Sequence, residues 1–160
     1  MKKYSIGAIV LLILAGVIYF TGLYTYFVRT EVNEELPMPS ATVGANTMPT
    51  PEVLRQGSFG EVDFIHKGSG VAKLIHVDGR NILRLENFNV VSGPDLYVYV
   101  SKSAHPTGDS KSLGDYIDLC PLKGTSGNQN YEINADIAGY TTAIIWCRRY
   151  GVLFTYAVMQ

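Results

Sequence analysis

Cysteine and tryptophan are scarce in this chain. Its 160 residues carry two cysteines, Cys120 and Cys147, and one tryptophan, Trp146. There is no C-x-x-C pair for structural zinc and no C-x-x-C-H for covalent c-type haem. No histidine follows Cys147, so the C-terminal Cys–His–Met clustering of a blue-copper site is absent, although Met159 lies downstream. G-x-S-x-G and G-x-x-x-x-G-K-[ST] are both missing, and the carboxylates form no recognisable acid/base pair, which removes the usual hydrolase and phosphate-loop signatures. The formal net charge is −1, without the basic excess of a nucleic-acid binder. Internal repeats are absent, as is long helical periodicity after Val28.

Charge is also missing from one long stretch, "YSIGAIVLLILAGVIYFTGLYTYFV", Tyr4 to Val28. A spanning helix needs roughly 20 apolar residues, and this run predicts a signal-anchor helix within 1–28. Lys2 and Lys3 precede it, which places the N-terminus in the cytoplasm and the remainder outside. Tyr19, Phe20, Tyr24, Tyr26 and Phe27 crowd its distal end as an interfacial aromatic belt. A cleaved signal peptide is the rival reading, but no small-residue cleavage site follows Gly22. No cysteine lies near the run, which argues against a lipid-anchored lipoprotein. The bilayer is thus the expected first partner. Gly7, Ala8, Ala15, Gly16 and Gly22 would also let other helices of a membrane complex approach closely.

Residues 29–55 change character. Pro37, Pro39, Pro49 and Pro51 sit among small polar residues, a composition that buries too little surface to offset ordering. This segment reads as a semi-extended extracytoplasmic linker. Residues 56–160 then form one all-β domain. "SFGEVDFIH" alternates, with Val62, Phe64 and His66 on one side, and Gly68 and Gly70 suggest a turn. "VAKLIHV" runs into Asp78-Gly79, a hairpin signal. "NILRLENFNV", "LYVYVS", "YIDL", "NYEI", "TTAIIWC" and "VLFTYAVM" bring the count to about eight short strands, and such spacing predicts a mostly antiparallel β-sandwich. "SGPDL" reads as a tight turn, and "KGTSGNQNY" as a loop whose amides tie it to neighbouring strands.

Several stretches occur together in order: "GSF" at Gly57, "HKGSGVAKL" from His66, "LRLENFNVVSGPDLYVYVS" from Leu83, "LKGTSGNQNYEI" from Leu122 and "IIWCRRYGVLFTYAVM" from Ile144. In these the domain resembles the electron-transfer DM-thirteen family. The resemblance implies a β-sandwich-like, extracytoplasmic domain with a characteristic cysteine after the tryptophan, here Cys147, serving as a redox thiol or a cofactor ligand. Cys120 lies outside the family pattern.

Four roles stay open for Cys147. Ala143 and Ile145 share its strand face, as for an inert buried thiol. Arg149 should share that face too, and a cation near sulfur favours the thiolate. A Cys120–Cys147 disulfide is the third role, in a compartment where such bonds persist. Ligation of a metal or a non-covalently held haem is the fourth, with His66 as the weaker partner. His76 reads as a strand histidine, His105 as a loop residue and Trp146 as packing. The leading functional expectation is a membrane-anchored redox or electron-transfer module, not a stand-alone enzyme. Its alternative is a non-catalytic accessory subunit of a membrane complex.

Overall fold

The computed structural model describes residues 2–21, 24, 28–38 and 51–160, with the helical side chains from residue 7 onward. Helix α1 spans Lys2–Thr21. Its described apolar side chains are exposed on every face, Ile9, Leu12, Val17 and Phe20 among them. Among the described residues no helix is long and apolar enough to cross a membrane. The uncharged run extends beyond both ends of the helical side chains described, and residues 22, 23 and 25–27 lie outside the described set.

Nine strands follow among the described residues: β1 Glu31–Asn33, β2 Glu52–Ser58, β3 Gly68–Val77, β4 Arg80–Val90, β5 Leu96–Ser101, β6 Tyr116–Pro121, β7 Ser126–Ile133, β8 Thr142–Cys147 and β9 Val152–Val158. They make a five-stranded sheet, β1-β7-β4-β3-β2, and a four-stranded sheet, β6-β5-β8-β9. All described pairings are antiparallel except β1 with β7. The pleat sorts the side chains by parity. Leu83 and Leu85 of β4, with Val98 and Val100 of β5, enter one core shared by both sheets. The four-stranded sheet carries a second apolar layer outside, of Tyr99, Ile144, Trp146 and Leu153 under Leu113. That second cover explains why "TTAIIWC" is an unbroken apolar run instead of an alternating one. At the β3–β4 hairpin, Asp78 and Gly79 take φ of 49° and 73°, the paired positive values that a tight two-residue turn needs.

Two expectations are corrected. "SFGEVDFIH" is not a strand beyond Ser58, because the Asp63 carboxylate captures the backbone N–H groups of Ile65 and His66, each at 2.7 Å, and closes a turn. Gly68 and Gly70, expected in a turn, open β3 instead. The second correction concerns the linker. Glu31–Asn33 pairs with β7, and Glu52–Ser58 forms the opposite edge of the same sheet. Pairing satisfies backbone groups, which composition does not report. Residues 39–50 of the expected linker lie outside the described residues.

The covering segment is held by charge as well as by backbone. Arg84 points to the outer face of β4, yet it is only 6% exposed. Its Nη1 donates to the carbonyls of Glu34 and Glu35 at 3.1 and 3.2 Å and to Asn130 Oδ1 at 2.8 Å, and its Nε donates to Glu86. The Glu34 carboxylate accepts from Lys123 Nζ and from the Asn130 N–H. Desolvation opposes ionisation of Glu34, but those two donors prevail and hold its pKa below the ordinary carboxylate value. Gly127, at φ 100°, lies so close to β1 that a Cβ there would fall 2.2 Å from the Val32 carbonyl oxygen.

Strand directions gather four loops at one end of the domain: 59–67, 91–95, 122–125 and 148–151. The chain from α1 arrives at this same end through residues 28–30, and the Tyr150 hydroxyl donates to the Thr21 carbonyl at 2.8 Å. Two substitutions test the clamp. Gly127→Ala should expel β1, and Arg84→Met should strip a charged donor from the carbonyls of Glu34 and Glu35 at about 1–2 kcal/mol. Both should lower the denaturation midpoint and speed hydrogen exchange across residues 30–35. Unchanged exchange there would show that the sheet does not hold the segment.

Candidate functional site

Cys147 closes β8 at the helix-proximal end, and its side chain turns into the core beside Ala143 and Ile145. It is fully buried, at 0% exposure. Its Sγ donates to the Pro94 carbonyl at 2.8 Å. The next N–H, of Arg148, donates to the Asp95 carbonyl at 3.1 Å. Two adjacent bonds therefore clamp the Gly93-Pro94-Asp95 turn to the end of β8. Asp95 sits there at φ 64°, a left-handed backbone uncommon outside glycine. Burial pushes the Cys147 thiol above its ordinary value, and the Asp95 charge adds to this. The backbone N–H groups of Tyr150 and Arg149 and the Arg149 charge oppose the shift without reversing it. The resting group is a neutral thiol.

The two arginines divide as the pleat dictates. Arg148 turns to the Trp146 side, where its guanidinium lies 3.5 Å from the Tyr97 ring centroid, donates to the Tyr99 hydroxyl at 2.8 Å and pairs with Asp118. Arg149 is exposed and bears on the sulfur electrostatically. Trp146 is packing in the outer apolar layer.

His66 reaches the same end of the domain by another route. Its Nδ1 lies 2.7 Å from Asp63 Oδ2. The hydrogen bonds from His66, side chain first and then backbone, hold the Asp63 carboxyl down to about 2. The imidazole stands edge-on to Phe154, centroids 4.7 Å apart, and Phe154 belongs to the core that contains Cys147. Gly93 makes room for that ring, since a Cβ there would lie 2.5 Å from Phe154 Cζ. His66 thus contacts the core through an aromatic ring, with no contact to the sulfur among those described. His76 bonds to Asn81 near the far hairpin, and His105 lies in the far 102–115 loop.

Beside the clamped turn opens a cleft of about 410 Å³, with walls that include Tyr24, Val28, Gly93, Asp95, Leu122 and Lys123. No histidine, cysteine or methionine lines it among the described residues, so neither Cys147 nor His66 faces this cleft to hold a haem. Among the described residues no group of three or more His, Cys, Asp or Glu side chains converges as a metal would require. The donor set therefore does not fit the haem or metal expectation for Cys147 and His66. The disulfide expectation also fails. Both cysteines are free, and β5 runs between their strands, with Cys120 opposite Val98 and Cys147 opposite Leu96. Strands lie about 4.8 Å apart, so the two Cα atoms are separated by on the order of 10 Å, past the limit of about 7 Å for a bridge. Cys120 is half-buried, and burial raises its thiol as well.

A family model described as electron transfer DM13 matches residues 58–159. The chain belongs to the electron transfer DM13 family. Membership gives this DM13 domain a redox, electron-transfer role at the level of the family. No curated protein and no solved structure matches the chain. Within the DM13 domain the five stretches that carried the resemblance do not scatter. Three of them begin or end in the loops around Cys147, and the other two run through those loops. Residue types alone did not reveal the Pro94 carbonyl or Asp63 as partners. The D-x-x-H spacing of "DFIH" was the available signal for the second.

Two predictions follow from this geometry. In the Cys120→Ser chain, alkylation of Cys147 should be at least about a hundredfold slower in the folded than in the denatured protein, because reaction waits on local opening. Equal rates would show the sulfur to be accessible. Asp63→Ala should speed hydrogen exchange at the Ile65 and His66 amides. Acid should do the same to the unmodified chain. The carboxylate's folded value lies below its free value near 4, so its contribution is present above about pH 4 and is lost as pH falls toward 2.

Proposed function

We propose that this chain is a membrane-anchored, extracytoplasmic electron-transfer module, a sandwich-like β domain displayed by α1, with Cys147 as its redox group. Family membership over residues 58–159 supports the electron-transfer part. The observation that carries the choice of group is the setting of Cys147 Sγ. It sits under a clamped turn, with Arg149 and two backbone N–H groups ready to stabilise negative charge. Opening of the 93–95 turn breaks the bond to Pro94 and admits solvent, which lowers the desolvation that keeps the thiol neutral. The proton then passes to water. A thiolate so formed can attack a partner disulfide, making one mixed disulfide to Cys147 and releasing the partner's other sulfur as a thiolate. An all-round apolar helix with no face packed on the domain favours the membrane.

A second reading rests on the same burial. A thiol sealed beside Ala143 and Ile145 also suits an inert core. The domain would then be a non-catalytic accessory subunit, with Gly7, Ala8, Ala15 and Gly16 admitting a partner helix.

Equilibration of the full-length Cys120→Ser chain across a series of glutathione redox buffers, followed by acid quenching and mass measurement, separates the two. Reversible glutathione addition at Cys147 in the folded protein, lost on Cys147→Ser, is the expected result. If Cys147 stays reduced throughout while the protein remains folded, the thiol-redox reading fails and the accessory reading takes its place.

A further inference from the structure

The loop that the Asp63 carboxylate closes carries the most exposed large apolar side chain described in the domain. Phe64 is 90% exposed and Ile65 58%. Single apolar residues at a surface are ordinary, but this pair is neither frayed nor floppy. Asp63 Oδ1 holds the N–H groups of Ile65 and His66, and the His66 carbonyl accepts from Val62 at 2.9 Å and Asp63 at 3.2 Å. Val62 is packed into the outer apolar layer below. The fold thus builds a rigid tip and places two apolar side chains on its point. Lys67 Nζ lies 5.7 Å from the Phe64 ring centroid.

The tip's position selects its partner. It stands at the end of the domain where the chain arrives from α1. Tyr150, 46% exposed, stands at that end too and bonds the last turn of the helix. Arg29 lies beside Glu61 and Lys67 at one side of the loop, and Arg149 is exposed in the next loop. Glu61 and Asp63 are the acids of the tip itself, and they are paired with Lys67 and His66. Aromatic residues with flanking arginine and lysine, next to the end of an apolar helix, are the residue types that settle at the boundary between acyl chains and headgroups. We propose that Phe64 and Ile65 insert into the membrane interface as a second, peripheral contact beside the helix, and so fix the Cys147 end of the domain toward the bilayer. This rests on the anchored reading above.

The test is the full-length chain carrying Phe64→Trp, reconstituted into vesicles of ordinary or brominated phosphatidylcholine. A separate Leu12→Trp chain reports on the helix, and the unmodified chain supplies the baseline from buried Trp146. Insertion predicts that the emission added by the Phe64→Trp indole falls by about a third or more in brominated lipid, as for a side chain seated 5–10 Å into the boundary. Unchanged emission overturns the proposal. If the tip indole is then also shielded from aqueous iodide, its occupant is a protein surface or a second copy; if iodide reaches it, the tip is bare. The Leu12→Trp chain reads the anchor separately. A quenched helix indole with an unquenched tip indole leaves the anchored reading standing and removes only the tip contact. An unquenched helix indole removes the anchor, whatever the tip indole shows.

Discussion

Strand β8 is buried on both faces, and the arrangement around Cys147 depends on that constraint. Every residue from Thr142 to Cys147 is out of solvent. Such a strand needs a cover on each side. The five-stranded sheet supplies one, and the 102–115 loop with the tyrosines of β5 supplies the other. Alternate side chains then have fixed destinations. Trp146 goes outward, Cys147 inward, and Arg148 outward again to close the row of tyrosines. Sulfur at the end of such a strand meets backbone from the adjoining turn as well as the core side chains beside it. Its acidity is therefore set first by burial, then by the peptide groups around it and by the charges of Asp95 and Arg149.

This arrangement reconciles a buried cysteine with an electron-transfer family. In the closed state desolvation outweighs the nearby donors and the thiol stays neutral. The neighbouring turn is held by two bonds, so the proposed opening would change the solvation of the sulfur. The opening proposed above would move Asp95, which holds a left-handed conformation. Backbone held in a sparsely populated region is where a closed state stores some of the free energy of opening.

Much of the fold was legible in the residues, for physical reasons. The Asp78-Gly79 hairpin follows from two residues that tolerate positive φ. The assignment of Trp146 and Cys147 to opposite faces follows from the pleat alone. The failures share a cause. "SFGEVDFIH" alternates like a strand, but the Asp63 side chain outcompetes the ladder for two amides, and a hydrophobic pattern does not register such competition. The linker's composition forecast disorder because composition counts buried apolar surface. Glu31–Asn33 is held instead by backbone pairing and by a buried guanidinium about fifty residues away. The proposed bridge between Cys120 and Cys147 needed strand order, which local sequence does not carry.

The proline-rich stretch has one further consequence. Both of its ends are fixed on one sheet, β1 at one edge and β2 at the other, so its length adds nothing to the distance between domain and helix. Only residues 22–30 do that, and nine residues stretch at most to about 30 Å. In the anchored reading the domain sits low on the surface and cannot sweep out for a distant carrier. Whatever exchanges electrons with it must present its own reactive group in the thin layer just above the headgroups.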